Sequence, residues 1–123
     1  MEYLNSFDEL EKINDLPTIE IEVPEWNRAV RAKKLSIAQI ESISKLSGED
    51  ETKYFYSIIA SSLIDQQGKR FISNAQAVKL GEKSKDALLV IFNKLLELNG
   101  LSETISEREE QLESDPLPES NIS

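Results

Sequence analysis

Cysteine and histidine are both absent from these 123 residues. Without cysteine there is no disulfide framework and no thiol nucleophile. Without histidine the commonest general base and the commonest metal ligand are missing. No apolar run approaches the ~20 residues that span a bilayer. The start, MEYLNSFDELEK, has neither a basic n-region nor an apolar h-region, so no signal peptide is expected. A soluble, intracellular protein is the expectation. Positive charge is also scarce: 14 basic residues stand against 23 acidic ones, a net charge of −9. Nucleic acid and anionic membranes are poor partners for such a surface.

Catalytic constellations are equally scarce. No glycine-rich loop precedes a helix with a phosphate-binding lysine; at Gly68-Lys69 the next residue is Arg70 and no upstream glycine is correctly spaced. A serine nucleophile would need another base, and no motif marks one. Glu20 and Glu22 on one strand face are accounted for by a solvated, salt-bridged surface. Glu49-Asp50-Glu51 is accounted for by a helix N-terminus. The expectation is a non-enzymatic protein with no cofactor and no metal.

What is present is one domain's worth of core. Two apolar segments, Tyr54–Ile64 and Ala87–Leu98, flank a polar, turn-rich connection. Leu88, Ile91, Phe92, Leu95 and Leu98 share one helical face, widened by Leu89 and Leu96. Phe55, Ile58, Ile59, Ser62 and Leu63 follow the same rhythm. Together they predict two core helices.

Before them, Thr18–Val23 alternates Ile19, Ile21 and Val23 with Glu20 and Glu22, the period of a half-buried strand. Pro24–Asn27 reads as a turn, with Asn27 tolerant of the left-handed region. Residues 28–34 return as a second strand, Val30 and Ala32 inward, Arg31 and Lys33 outward. Glu20 and Glu22 would oppose Arg31 and Lys33, each pair worth ~0.2–1 kcal/mol.

Helix caps then recur. Ser36 with Gln39 is a capping box opening a helix with Ile37, Ile40 and Ile43 on its apolar face, stopped at Ser47-Gly48. The first core helix is expected to run to the turn Asp65–Gly68. Lys69–Ile72 reads as short and extended. Ser73 with Gln76 opens a short helix over Ala75–Leu80, closed by Gly81. Ser84 caps the long helix and Gly100 ends it.

The fold class is thus α+β and mostly α-helical: an N-terminal β-hairpin packed on four to five helices, with an acidic disordered C-terminal tail. Residues 1–17 form an N-terminal segment with a frayed helix, ended at Pro17. The globular domain covers 18–101, with the hairpin in 18–34 and helices in 36–101. Residues 102–123 form an acidic helix and tail. Glu103–Glu119 holds seven acids and one Arg, too little apolar surface for a core.

Two turns each carry a large aromatic: Trp26 in Pro24–Asn27, and Phe71 after Lys69-Arg70. Neither aromatic fits a stripe. Pro24, Trp26, Lys69, Arg70 and Phe71 are therefore the candidates for protein–protein contact, since loops run on the surface. The basic pair would meet the acidic surface of another copy and form a homo-oligomer. Alternatively, Trp26 and Phe71 fold back and cap the core.

Four motifs occur in order: V-P-E-W at Val23–Trp26, D-x-x-G-x-R-F at Asp65–Phe71, L-G-x-K-S at Leu80–Ser84, and L-N-G-L at Leu98–Leu101. Over roughly residues 18–112 the chain resembles the tail assembly chaperones of long-tailed bacteriophages and prophages. It departs from them after Trp26, where Asn27-Arg28 replaces the family's frequent glycines. The resemblance implies a scaffolding role in the host bacterial cytoplasm. The partners would be a tape measure protein and tail tube subunits, which polymerise around it, and the chaperone would be absent from the finished particle. It also implies a longer frameshifted form. A second class stays open, a small acidic regulatory inhibitor, antitoxin-like or a nucleic-acid mimic. Neighbouring genes discriminate the two.

Overall fold

The computed structural model describes residues 1–101. The acidic helix and tail expected over 102–123 lie outside them. The element order is α1 (Phe7–Glu11), β1 (Thr18–Val23), a 3-10 turn (Pro24–Trp26), β2 (Arg28–Lys33), α2 (Ile37–Ser47), α3 (Glu51–Ser62), β3 (Leu63–Ile64), α4 (Asn74–Ala77), a 3-10 turn (Val78–Glu82) and α5 (Lys85–Asn99). This is the α+β, mainly helical arrangement, with the N-terminal hairpin laid on the helices.

The hairpin forms because its strands alternate and its turn is preset. Pro24 opens the 3-10 turn, and Asn27 takes φ +52°, the left-handed conformation that reverses the chain. The strands pair antiparallel with Ile19 opposite Ala32, Glu20 opposite Arg31 and Ile21 opposite Val30. Ile21, Val23 and Ala32 are buried on the helix-facing side. On the other face only Glu20–Arg31 is an opposed charge pair. Glu22 faces Ala29 and Lys33 faces Thr18, because the four-residue connection Pro24–Asn27 pairs Val23 with Arg28, two positions from the register that would set Glu22 against Arg31 and Glu20 against Lys33.

The sheet has a third strand, which corrects the expected length of the first core helix. α3 ends at Ser62; Leu63 is extended (φ −72°, ψ 133°), and Leu63–Ile64 pair antiparallel with Ala32 and Arg31. Spacing alone places Leu63 on the helical stripe. The free backbone edge of β2 outcompetes one more helical hydrogen bond. Arg70 then bridges back to Ile64, so the segment after the turn is extended, as its composition implies.

α5 lies against β1 and α3, and α2 and α4 flank α3, a sheet layer packed on a helix layer. The core holds Ile58, Ile59, Ile91, Phe92, Leu95 and Leu96, all without solvent contact. Phe55 and Phe92 stack tilted, ring centroids 4.6 Å apart. α2 presents Ile43 and, in part, Ile40 to this core, but Ile37 points to solvent. It is the first residue of the helix, ahead of the turn that meets α3.

Both capping boxes form, at Ser36/Gln39 and Ser73/Gln76. Ser84 accepts from the Ala87 N–H. The expected helix over Ala75–Leu80 is instead a single α turn, α4, followed by a 3-10 turn that contains Gly81. Gly81 therefore does not stop the helix. A Cβ there would lie 2.6 Å from the Tyr56 Oη, so the glycine lets this turn press on α3. At the end of α5, Gly100 takes φ +67°, its N–H donates to the Glu97 carbonyl, and the Leu101 N–H donates to Leu96, the doubly bonded C-terminal cap.

Candidate functional site

The hairpin tip is built inward. Val23 is 1% exposed, and Trp26 packs partly buried against the core beside α5. Pro24 is exposed. The ring of Trp26 thus covers one end of the hydrophobic cluster while keeping an accessible edge.

The second turn is closed by its own aspartate. Asp65 Oδ1 accepts from the backbone N–H groups of Gln67 and Lys69, each at 2.9 Å. The Asp65 N–H donates to the Lys69 carbonyl at 2.8 Å, and Gly68 takes φ +86°. The Lys69 N–H chiefly holds the Asp65 carboxyl below its ordinary pKa; partial burial opposes this, and the Gln67 N–H and the Lys69 charge assist it.

Arg70 follows the loop and is tied into the fold. Its Nε donates to the carbonyls of Ala60 (3.0 Å) and Ile72 (2.6 Å), and Nη2 donates to Asn74 Oδ1 (2.7 Å). The guanidinium braces the end of α3 against the start of α4. It is a cation fixed in position, whereas Lys69 extends from the loop.

Phe71 is 51% exposed. It borders an open cleft of about 560 Å³ on the outer face of the sheet, beside Glu20, Arg31, Ile64 and Asp65. Arg31 Nη1 donates to the Gln66 carbonyl at 3.1 Å, joining the sheet to the loop. Ile64 is buried here, outside the main cluster. Trp26 does not line this cleft, so the two turns are separate surfaces rather than one site. Ile64 and Arg31 escaped the sequence reading as neighbours of Phe71. Their juxtaposition depends on β3, which no local pattern signals.

The arrangement presents side chains that can make surface contacts. Among the described residues no group of three Asp, Glu, His or Cys side chains converges. No described helix is long and apolar enough to cross a membrane. The available features are a half-exposed aromatic, a fixed guanidinium and an opposed Glu–Arg pair. The fold and surface thus define a small acidic α+β protein with open, shallow contact surfaces. Compared with family models, with curated proteins and with solved structures, the chain matches none.

Trp26→Ala and Phe71→Ala should separate. A fully buried aromatic costs ~3–5 kcal/mol on truncation to alanine. Trp26 is partly buried, so a loss of about 2 kcal/mol is expected in urea melts. Phe71 has half its surface in water already, and its loss should stay under ~1 kcal/mol. Equal losses at both positions would mean Phe71 is as much core as Trp26.

Proposed function

We propose that this chain is a non-enzymatic tail assembly chaperone, acting in the cytoplasm of a phage-infected or prophage-bearing bacterium. It would bind the tape measure protein and promote tail tube polymerisation around it. The observation that carries this reading is the ordered set of four motifs. Each sits at a junction of the fold. Val23–Trp26 turns the hairpin, Asp65–Phe71 closes and braces the loop after β3, Leu80–Ser84 leads into α5, and Leu98–Leu101 ends it. A sequence that keeps all four keeps this particular path of the chain. The exposed apolar and aromatic groups suit a partner that is helical and aggregation-prone.

Co-expression tests it. The chain should keep the tape measure protein encoded beside it in the soluble fraction and co-purify with it, and finished tails should lack the chain. A tape measure protein that precipitates equally with and without the chain overturns the proposal. So does a neighbouring toxin gene whose product the chain neutralises, the outcome expected of the regulatory-inhibitor alternative.

A further inference from the structure

The N-terminal arm, residues 1–17, is amphipathic, and its first fifteen residues are all exposed. Phe7 is 69% exposed and Leu10 51%, and Tyr3, Leu4 and Ile13 are also open to solvent; α1 buries no residue at all. Ser6 caps this helix and Asn5 donates its N–H to Glu9, so the turn is formed. Yet five residues are far below the length at which a helix persists alone in water. The arm is acidic, with Glu2, Asp8, Glu9, Glu11 and Asp15 against Lys12. It joins the sheet at Pro17, whose carbonyl accepts from the Lys34 N–H at 2.9 Å.

The globular part has a surface of opposite character. A groove of about 530 Å³ runs between α2 and α3, with Ala38, Ile43 and Leu46 among its walls. Leu46 is 51% exposed. The charged groups lining the groove are Lys45 and Arg70, and no carboxylate lines it. In a chain of net charge −9 a cationic, partly apolar groove is selective for an acidic, apolar segment. The guanidinium of Arg70 is already immobilised by its bonds to Ala60, Ile72 and Asn74, so little of its freedom is lost on contact.

We propose that the arm of one copy docks in the α2–α3 groove of a second copy. Phe7 and Leu10 lie against Leu46 and Ala38, and the arm carboxylates meet Lys45 and Arg70. Among the described residues neither half of the contact is filled, and the two match in polarity and in charge. Docking also supplies the tertiary burial that a one-turn helix lacks, so association lengthens α1. This inference is independent of the chaperone reading and needs only the purified protein.

The test is sedimentation of the full chain over a range of concentrations, at low and at high salt. Wild type should pass from monomer to a larger species, and salt should weaken the association. The double variant Phe7→Asp/Leu10→Asp should lose association about tenfold or more. The double variant Lys45→Glu/Leu46→Asp should do the same. Neither pair is buried, so both should melt with wild type. An equimolar mixture of the two variants should recover a dimer, because one retains the groove and the other the arm. Several outcomes overturn the proposal. One is a wild type that stays monomeric with its arm open to protease; another is a monomer with the arm protected, which places it in its own groove. A third is an arm variant that associates as wild type does, and a fourth is association that vanishes only on removal of residues 102–123, which makes the tail the occupant.

Discussion

Phe92→Ala should destabilise the protein by ~3–5 kcal/mol, and Leu95→Ala by ~2–5 kcal/mol. Both side chains have no solvent exposure. Phe92 also stacks on Phe55, so its removal leaves a cavity next to an aromatic ring that has lost its partner. The two sit on the helix that meets the sheet on one side and α3 on the other. Neither layer can collapse into the gap without pulling away from its neighbours, which keeps the cavity term large. Total stability of a small domain is ~5–15 kcal/mol, so Phe92→Ala removes a large fraction of it. Denaturant midpoints at constant slope are the measurement. A loss under ~1 kcal/mol at Leu95 would mean that this stripe is not packed in the free chain.

Asn99→Ala should cost ~1–3 kcal/mol, although Asn99 belongs to no apolar stripe. Its Oδ1 accepts from the Leu35 N–H at 2.8 Å, and its Nδ2 donates to the Leu95 carbonyl at 2.8 Å. Leu35 is buried, 4% exposed, so truncation leaves its N–H without a partner away from water, at the desolvation penalty of an unpaired amide. The side chain ties the end of α5 to the segment between β2 and α2, 64 residues away in sequence. Asn99→Asp keeps the acceptor and loses the donor, so it should be milder than alanine. Amide exchange at Leu35 reads the same bond directly and should accelerate in Asn99→Ala. An unchanged rate there would show that the Leu35 N–H is protected without Asn99.

Local chemistry made much of the fold readable. Alternation of Ile19, Ile21 and Val23, the turn at Pro24–Asn27, the two capping boxes and the glycine end at Gly100 all act within a few residues of themselves. A window of sequence therefore contains their physics. The helical stripe of α5 is legible for the same reason, since Leu88, Ile91, Phe92 and Leu95 repeat at the period of the helix. The candidate contact residues were legible only as aromatics in turns. Their surroundings, the cleft beside Phe71 and the groove beside Arg70, were not.

Composition and spacing by themselves determined the α+β class, the hairpin, the capped helices and the acidic character of this chain. Tertiary structure decided the rest. Leu63 and Ile64 leave the helical pattern because the edge of β2 offers them backbone partners, a distant alternative that local spacing does not contain. Ile37 lies outside the core because α2 meets α3 with its later turns. Gly81 is required by the Tyr56 hydroxyl on another helix, and Asn99 by the amide of Leu35. Arg70 reads as a free cation in sequence, and the fold holds its Nε and Nη2 on Ala60, Ile72 and Asn74. In each case the partner lies on another element or across a loop, so its effect on the residue exists only once the chain has folded.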